Sequence, residues 1–394
     1  MPIGNKVIYI LIAVAGLFLL SCDRSADEDL AHRIIIADTH IDLPYQLKKG
    51  WQDLSVAAGG NFDYPRAKRG GLNLAFLAIY IPAESASERD NRLLADSLIN
   101  LVEKIVAVWP DSFGLATKVE HVYEHFNAGK ISLAMGMENA SGLDGRLENI
   151  EYFYERGVRY ITLAHSKSNR ICDSSYDPER KWDGLSPFGR EVVAEMNRTG
   201  MMIDVSHVTD STFFQVLRLT RAPVIASHSS CRYFTPGYER NISDEMLKSL
   251  ASNGGVIQIN FGSSFINDRY RKNYEPMWDY LDQHHMSFGD PATAAYMKRY
   301  NEEHPVPFAD VSEVADHIDH VIERVGIDHV GLGSDFDGLG DTLPTGLKDV
   351  SMYPNLLKIL RDRGYSEEEV SKICSGNLLR VWQQVDQIAR DLQQ

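Results

Sequence analysis

Residues 201–228 read MMIDVSHVTDSTFFQVLRLTRAPVIASH. Two short runs within it, MMIDVS (201–206) and PVIASH (223–228), are apolar and partly β-branched and read as strands. His207 follows the first run at once, and His228 ends the second. One strand ending on a histidine is readily explained as a satisfied core residue. Two neighbouring strands doing so are harder to dismiss. A barrel of parallel strands delivers all its C-terminal strand ends to one face, where residues distant in sequence converge.

The same rhythm extends outward in both directions. Eight strand candidates appear: 34–37, 72–81, 131–137, 160–164, 201–206, 223–228, 255–261 and 329–335. Several are nearly all apolar, which suits parallel strands covered on both faces. Helical patterns separate them. SPFGREVVAEMNRTG opens on Ser186-Pro187 and closes on Gly200. SDEMLKSLASNG starts at Ser243, and DVSEVADHIDHVIERVG runs from an Asp310 cap to Gly326. The alternation predicts βαβ units, and eight of them favour a TIM-like (β/α)8 barrel, a single α/β domain over 33–394. Residues 43–71 read as a loop or small hairpin over the barrel mouth. Residues 262–306, rich in aromatics, read as an insertion after strand seven that shapes a pocket or an interface. Three short helices follow strand eight, the last being NLLRVWQQVDQIARDLQ, and are expected outside the barrel.

The amino terminus stands apart. Residues 7–20, VIYILIAVAGLFLL, follow Lys6 and precede Ser21-Cys22. The run is short for a membrane span and fits a signal-peptide core. Its L-L-S-C ending is similar to a bacterial lipoprotein cleavage box. The expectation is a signal peptide over 1–22, lipidation at Cys22 and a polar tether over 23–32. That places the protein in a bacterial cell envelope, lipid-anchored and facing the periplasm or the exterior. Cys172, Cys231 and Cys374 remain, an odd number that leaves at least one thiol outside any internal disulfide. The net charge of −15 and the lack of a basic stripe argue against a nucleic-acid partner.

The chemistry-bearing residues cluster at the predicted strand ends. His40 and Asp42 follow the first strand in DTHID, and period-two alternation points them the same way. Glu138 ends the third. A carboxylate closing an apolar run is costly unless paired or on a metal, and its two oxygens suit it to bridge two ions. With His207 and His228 the set suits two zinc-like ions sharing one carboxylate. Asp38 is a candidate to orient a histidine, and Asp204 to buttress a ligand. His165 ends the fourth strand, as a ligand or a substrate contact. Asp335 and Asp337, in GLGSDFDG, share a face if extended, and Asp335 is the better proton handler. His317 and His320 are expected on a polar helix surface.

Here the chain resembles a known family. The run WDGLSPFGREVVAEMNRTGMMIDVSHV, and the segments DTHIDLP, RYITLAHSKSN, PVIASHSSCR, RNISDEMLKSL and GLGSDFDG in their order along the chain, are similar to the membrane (renal) dipeptidases, peptidase family M19, of the amidohydrolase-like barrels. The likeness covers roughly residues 33–385. It implies a zinc-dependent dipeptidase acting on L,L and L,D dipeptides through a hydroxide held between two Zn2+ ions. His40 and Asp42 would bind one zinc, His207 and His228 the other, and Glu138 both, with no carbamylated lysine. His165 would contact the substrate near its reacting carbonyl. Arg240 would hold its C-terminal carboxylate, and Asp335 would move the proton. A homodimer is common among such relatives. The segment after Glu138, NASGLDGRL, departs from the family pattern. Two rivals stay open: another binuclear amide hydrolase on the same barrel, for N-acyl amino acids or lactams, and a binding lipoprotein without catalysis.

Overall fold

The computed structural model describes residues 26–394 except 84–86 and 287–289. Cys22 and the apolar leader lie outside the described residues. Where a polar tether was expected, Ala26–Arg33 is an α-helix. Leu30 and Ala31 on it are buried, and Arg33 pairs with Glu367 at 2.9 Å.

Among the described residues nine strands form one parallel sheet: β1 (Ile36–Ile41), β2 (Leu72–Tyr80), β3 (Phe113–Leu115), β4 (Ile131–Glu138), β5 (Val158–Thr162), β6 (Met202–Asp204), β7 (Ile225–Ser229), β8 (Val256–Ile259) and β9 (Val330–Leu332). Eight of them follow the path β1-β2-β4-β5-β6-β7-β8-β9. Closure comes at the upper rim. Ile41 bridges to Phe336, Asp42 N–H donates to Phe336 O at 2.8 Å, and Asp335 N–H donates to His40 O at 3.0 Å. The architecture is the expected (β/α)8 barrel. β3 pairs with β4 off this path. Three residues are too few to carry a periodic signal, so the sequence does not reveal it.

The helix boundaries follow the capping residues. Ser186 accepts from Gly189 N–H, and Gly200 ends that helix with φ 89°. Ser243 accepts from Met246 N–H, and Asp310 forms a reciprocal capping box with Glu313. Between the barrel strands and these helices lies the larger core, with Leu77, Ile79, Leu98, Val192, Leu247 and Val314 among its members.

A second core fills the barrel interior. Leu74, Phe76, Tyr160, Met202 and Val256 meet Leu378, Val381, Trp382 and Val385 of the last helix, Asn377–Leu392. The Trp382 ring lies 5.4 Å from that of Phe76. That helix therefore plugs the barrel at the N-terminal ends of its strands, where an outer position was expected. Its apolar stripe cannot say from sequence alone which surface it will cover.

Two further expectations need correction. Residues 43–71 hold two short helices, Leu43–Lys49 and Tyr64–Gly70, and no hairpin. His317 and His320 are buried: His317 spans Cys231 N–H and Ile266 O, and His320 meets Asp244 at 2.7 Å. The insertion after β8, the seventh barrel strand, carries helices Asp268–Gln283 and Pro291–Glu303 around their own small core of Tyr270, Tyr274, Met277, Leu281 and Tyr300.

Candidate metal centre

All the strand-end candidates converge on the C-terminal face of the barrel. His40 is the penultimate residue of β1 and Asp42 follows it. Glu138 ends β4, and His228 is the penultimate residue of β7. His165, His207 and Asp335 each stand three residues beyond β5, β6 and β9. His207 and Asp335 have φ of 68° and 65°. Left-handed backbone at non-glycine residues is strained and gathers at functional sites.

Glu138 sits at the middle and is 3% exposed. Its Oε2 lies 3.5 Å from His40 Nε2. Its Oε1 lies 3.0 Å from His207 Nε2, 3.3 Å from His228 Nε2 and 3.7 Å from His165 Nε2. His40 Nε2 is also 3.5 Å from Asp42 Oδ2. Each carboxylate oxygen thus faces a different donor group. Ligand-range clusters form from His40, Glu138 and His228, from Glu138, His165 and His207, and from His40, Asp42 and Asp335. Two candidate metal positions share Glu138, as a bridged binuclear centre requires.

The donors suit cations. His207 Nε2 and His228 Nε2 stand 2.9 Å apart, and two such lone pairs repel unless a cation or proton lies between them. Tyr160 Oη donates to Thr39 O at 2.9 Å, so it accepts from His40 Nδ1–H at 2.8 Å. Ser227 Oγ donates to Asp204 Oδ2 at 2.6 Å and accepts from His228 Nδ1–H at 2.7 Å. Both imidazoles therefore aim a free Nε2 at the cluster, as metal ligands do. The buried His40 Nε2 has no hydrogen-bond partner of its own.

Electrostatics agree with this picture. Burial, reinforced by Arg240 for His207 and by His40 for His228, presses both imidazoles well below their usual range. They are neutral, as ligation requires. Burial also opposes charge on His40, but Tyr160, Glu138 and Asp42 outweigh it and raise it well above that range. Burial opposes ionisation of Glu138 too, and His40, His165 and the other imidazoles hold it well below the usual carboxylate range. Asp335 is pushed up to about 7, first by burial and then by Asp42 and Glu138 against the pull of His40. Asn260 Nδ2 fixes its Oδ2 at 2.8 Å.

A cavity of about 920 Å³ opens over the cluster, and Asp42, Glu138, His165, His207 and Asp335 line it. Arg240 lies behind this lining, 2% exposed. Its Nη1 donates to Ser229 Oγ at 2.6 Å and its Nη2 to His228 O at 2.8 Å. Its buried Nε has no partner. Asp337 lines the same cavity as Asp335 but belongs to none of the ligand-range clusters. It turns to Asn61 N–H at 2.5 Å, because both aspartates sit in a left-handed turn and not in extended chain. Asp38 accepts from the backbone N–H of His40 and Ser334 and from Tyr353 Oη. It fastens β1 to the β9 end and orients no imidazole. Asp204 does buttress a ligand, through Ser227. All three described cysteines are buried and free.

Sequence reasoning missed Tyr160, Ser227, Asn260 and Gly338. A Cβ on Gly338 would fall 2.3 Å from Asp42 Oδ2 and 2.6 Å from Asp335 Oδ1, so the glycine lets the two carboxylates meet. Tyrosine and serine inside strands give no local signal of such roles.

Comparison with known proteins agrees. Residues 24–394 match the membrane dipeptidase family, peptidase family M19. Dipeptidase aclJ of Aspergillus oryzae is 32% identical over 386 residues, covering 94% of this chain and 82% of the relative. Dipeptidase tcpJ of Claviceps purpurea is 34% identical over 379 residues, covering 94% and 78%. The crystal structure of the probable dipeptidase PvdM from Pseudomonas aeruginosa superposes with a TM-score of 0.81 at 28% identity, covering 92% of this chain and 98% of that one. A metallo peptidase from Rhodobacter sphaeroides, liganded with a phosphinate mimic of L-Ala-D-Ala, gives 0.74 at 25% identity, covering 89% and 99%. With its paired donor sets around one glutamate, the chain belongs to the membrane dipeptidase family, peptidase family M19, and is a metal-dependent hydrolase.

Proposed function

We propose that this protein is a zinc-dependent dipeptidase that hydrolyses the single peptide bond of L,L and L,D dipeptides. The observation that carries the reading is the division of Glu138, one oxygen toward His40 and the other toward His207 and His228, at the floor of the cavity. Imidazole and carboxylate donors of this kind suit zinc. A dipeptide substrate is supported by the relatives named as dipeptidases and by the dipeptide mimic held in the Rhodobacter enzyme.

Bound zinc would polarise the peptide carbonyl and supply an activated water. The protein's own residues do the rest. His165 lines the cavity, its ring 4.5 Å from that of His207 and 5.0 Å from that of Tyr80. It is placed to donate to the carbonyl oxygen as charge develops there. Asp335, fixed by Asn260, is placed to accept the water's proton and return it to the leaving amine. Arg240 has an unpartnered Nε and holds the C-terminal carboxylate. A fixed distance from Arg240 to the metals limits the substrate to two residues.

Export and a lipid on Cys22 are part of the proposal. They rest on the apolar run 7–20 and the Ser21-Cys22 ending, and place the enzyme in a bacterial envelope.

The test is turnover of an L,L and L,D dipeptide panel before and after chelation. Turnover lost on chelation and restored by zinc supports the reading. Full zinc occupancy with no dipeptide cleaved sends the site to other amides.

A further inference from the structure

Helix Asp268–Gln283 of the insertion presents Arg271, Trp278 and Asp282 to the cavity over the metal centre. These residues are about two and three turns apart along the helix, so they share one face. The Arg271 side chain is 18% exposed. Its guanidinium lies 4.3 Å over the Tyr238 ring. Its ion pairs are long, 3.7 Å to Asp268 and 3.7 Å to Glu275, and Lys272 holds Asp268 more closely at 2.6 Å. A guanidinium has five N–H donors in a rigid fork. Among the described residues Arg271 makes no short hydrogen bond with any of them.

That is an uncommon state for a cation largely withdrawn from water at the wall of a cavity. Asp282 is roughly 16 Å away along the helix, too far to neutralise it. Arg240 differs, since it already commits two N–H groups to Ser229 and His228. The two guanidiniums are linked through one aromatic group. Arg240 lies 5.2 Å from the Phe265 ring, Phe265 lies 5.8 Å from Tyr238, and Arg271 covers Tyr238. Tyr176 closes the group through a 2.6 Å contact with Tyr238 Oη.

We propose that Arg271 is a specificity residue that binds a second carboxylate, on the side chain of the dipeptide's C-terminal residue, while Arg240 holds its α-carboxylate. The enzyme then prefers dipeptides ending in an acidic residue. The inference rests on the dipeptidase reading and deepens it. A planar, bidentate carboxylate matches the fork of Arg271, which its 3.7 Å ion pairs leave without a short hydrogen bond, and Arg240 and Arg271 flank the same Phe265–Tyr238 pair of rings.

L-Ala-L-Glu and L-Ala-L-Gln differ in one charge and almost nothing in size. Steady-state kinetics of both, on the zinc-loaded chain and on Arg271→Met and Arg271→Lys, test the idea. The expected kcat/KM for Ala-Glu exceeds that for Ala-Gln by about 10- to 100-fold, the worth of a hydrogen-bonded charge. Arg271→Met abolishes that preference by raising KM for Ala-Glu and leaves Ala-Gln unchanged, and Arg271→Lys restores part of it. Equal cleavage of both dipeptides by the unaltered chain overturns the proposal. So does an equal loss on both in Arg271→Met, which would mean that Arg271 shares the α-carboxylate. If neither is cleaved the dipeptidase reading falls, and calorimetric binding of the same pair still decides the subsite. Tighter Ala-Glu binding that Arg271→Met removes supports it, and equal binding overturns it.

Discussion

At the residue scale the site depends on groups that never touch a metal position. Tyr160 fixes the tautomer of His40 through one buried hydrogen bond. Its replacement by Phe removes that partner and leaves the ring volume. We expect Tyr160→Phe to lower zinc affinity about 10- to 100-fold, read by chelator competition, with the circular dichroism spectrum unchanged. Unaltered affinity would mean that packing alone orients His40. Gly338→Ala drives a methyl into the Asp42 and Asp335 carboxylates and is expected to remove at least one zinc per chain by metal analysis. His40, Asp42, Glu138, His207 and His228 were legible because each is a polar group closing an apolar run, which burial makes expensive without a partner. Arg240 was legible only by resemblance, since most arginines lie on surfaces. Tyr160 and Ser227 were not legible, because their partners lie on other strands, 120 residues away for Tyr160 and on β6 for the Ser227–Asp204 link.

At the element scale the eight barrel strands announce themselves, the short β3 does not, and the helices announce only their ends. Ser186, Ser243 and Asp310 cap helices where the sequence placed them. What a helix covers is a tertiary fact. The stripe of Asn377–Leu392 reads as amphipathic whether it packs outside or plugs the barrel, and only the cavity left by eight strands decides between them. Trp382 is the wedge of that plug. Trp382→Ala should cost about 3–5 kcal/mol, measured by denaturant unfolding of the zinc-loaded protein. A loss below about 1 kcal/mol would place the helix on the periphery. The insertion shows the opposite case. Its aromatic content pointed to a pocket or an interface, and it supplies Arg271, Trp278, Leu281 and Met286 to the cavity.

At the scale of the whole molecule the barrel has a closed end and an open one. The C-terminal helix fills the N-terminal mouth of the strands, and the buried charges stand at the other. Carboxylates and imidazoles crowded there without a cation destabilise the fold, so metal binding should be visible in stability. Free zinc at about 100 times its Kd contributes about 2.7 kcal/mol per site, and a melting temperature that chelation does not lower would contradict that coupling. Attachment to the envelope is a separate claim about the chain's far end. Cys22→Ala should move the protein from the membrane fraction to the soluble one, and continued membrane retention would point to an uncleaved anchor. The central claim is that Glu138 joins two metal positions. The direct measurement is zinc per chain, by mass spectrometry of the metal, for the unaltered protein and for Glu138→Gln after dialysis against zinc-free buffer. About two zinc ions in the first and one or none in the second is the predicted result. One ion in the unaltered protein, or two retained without the Glu138 carboxylate, would contradict the bridged centre.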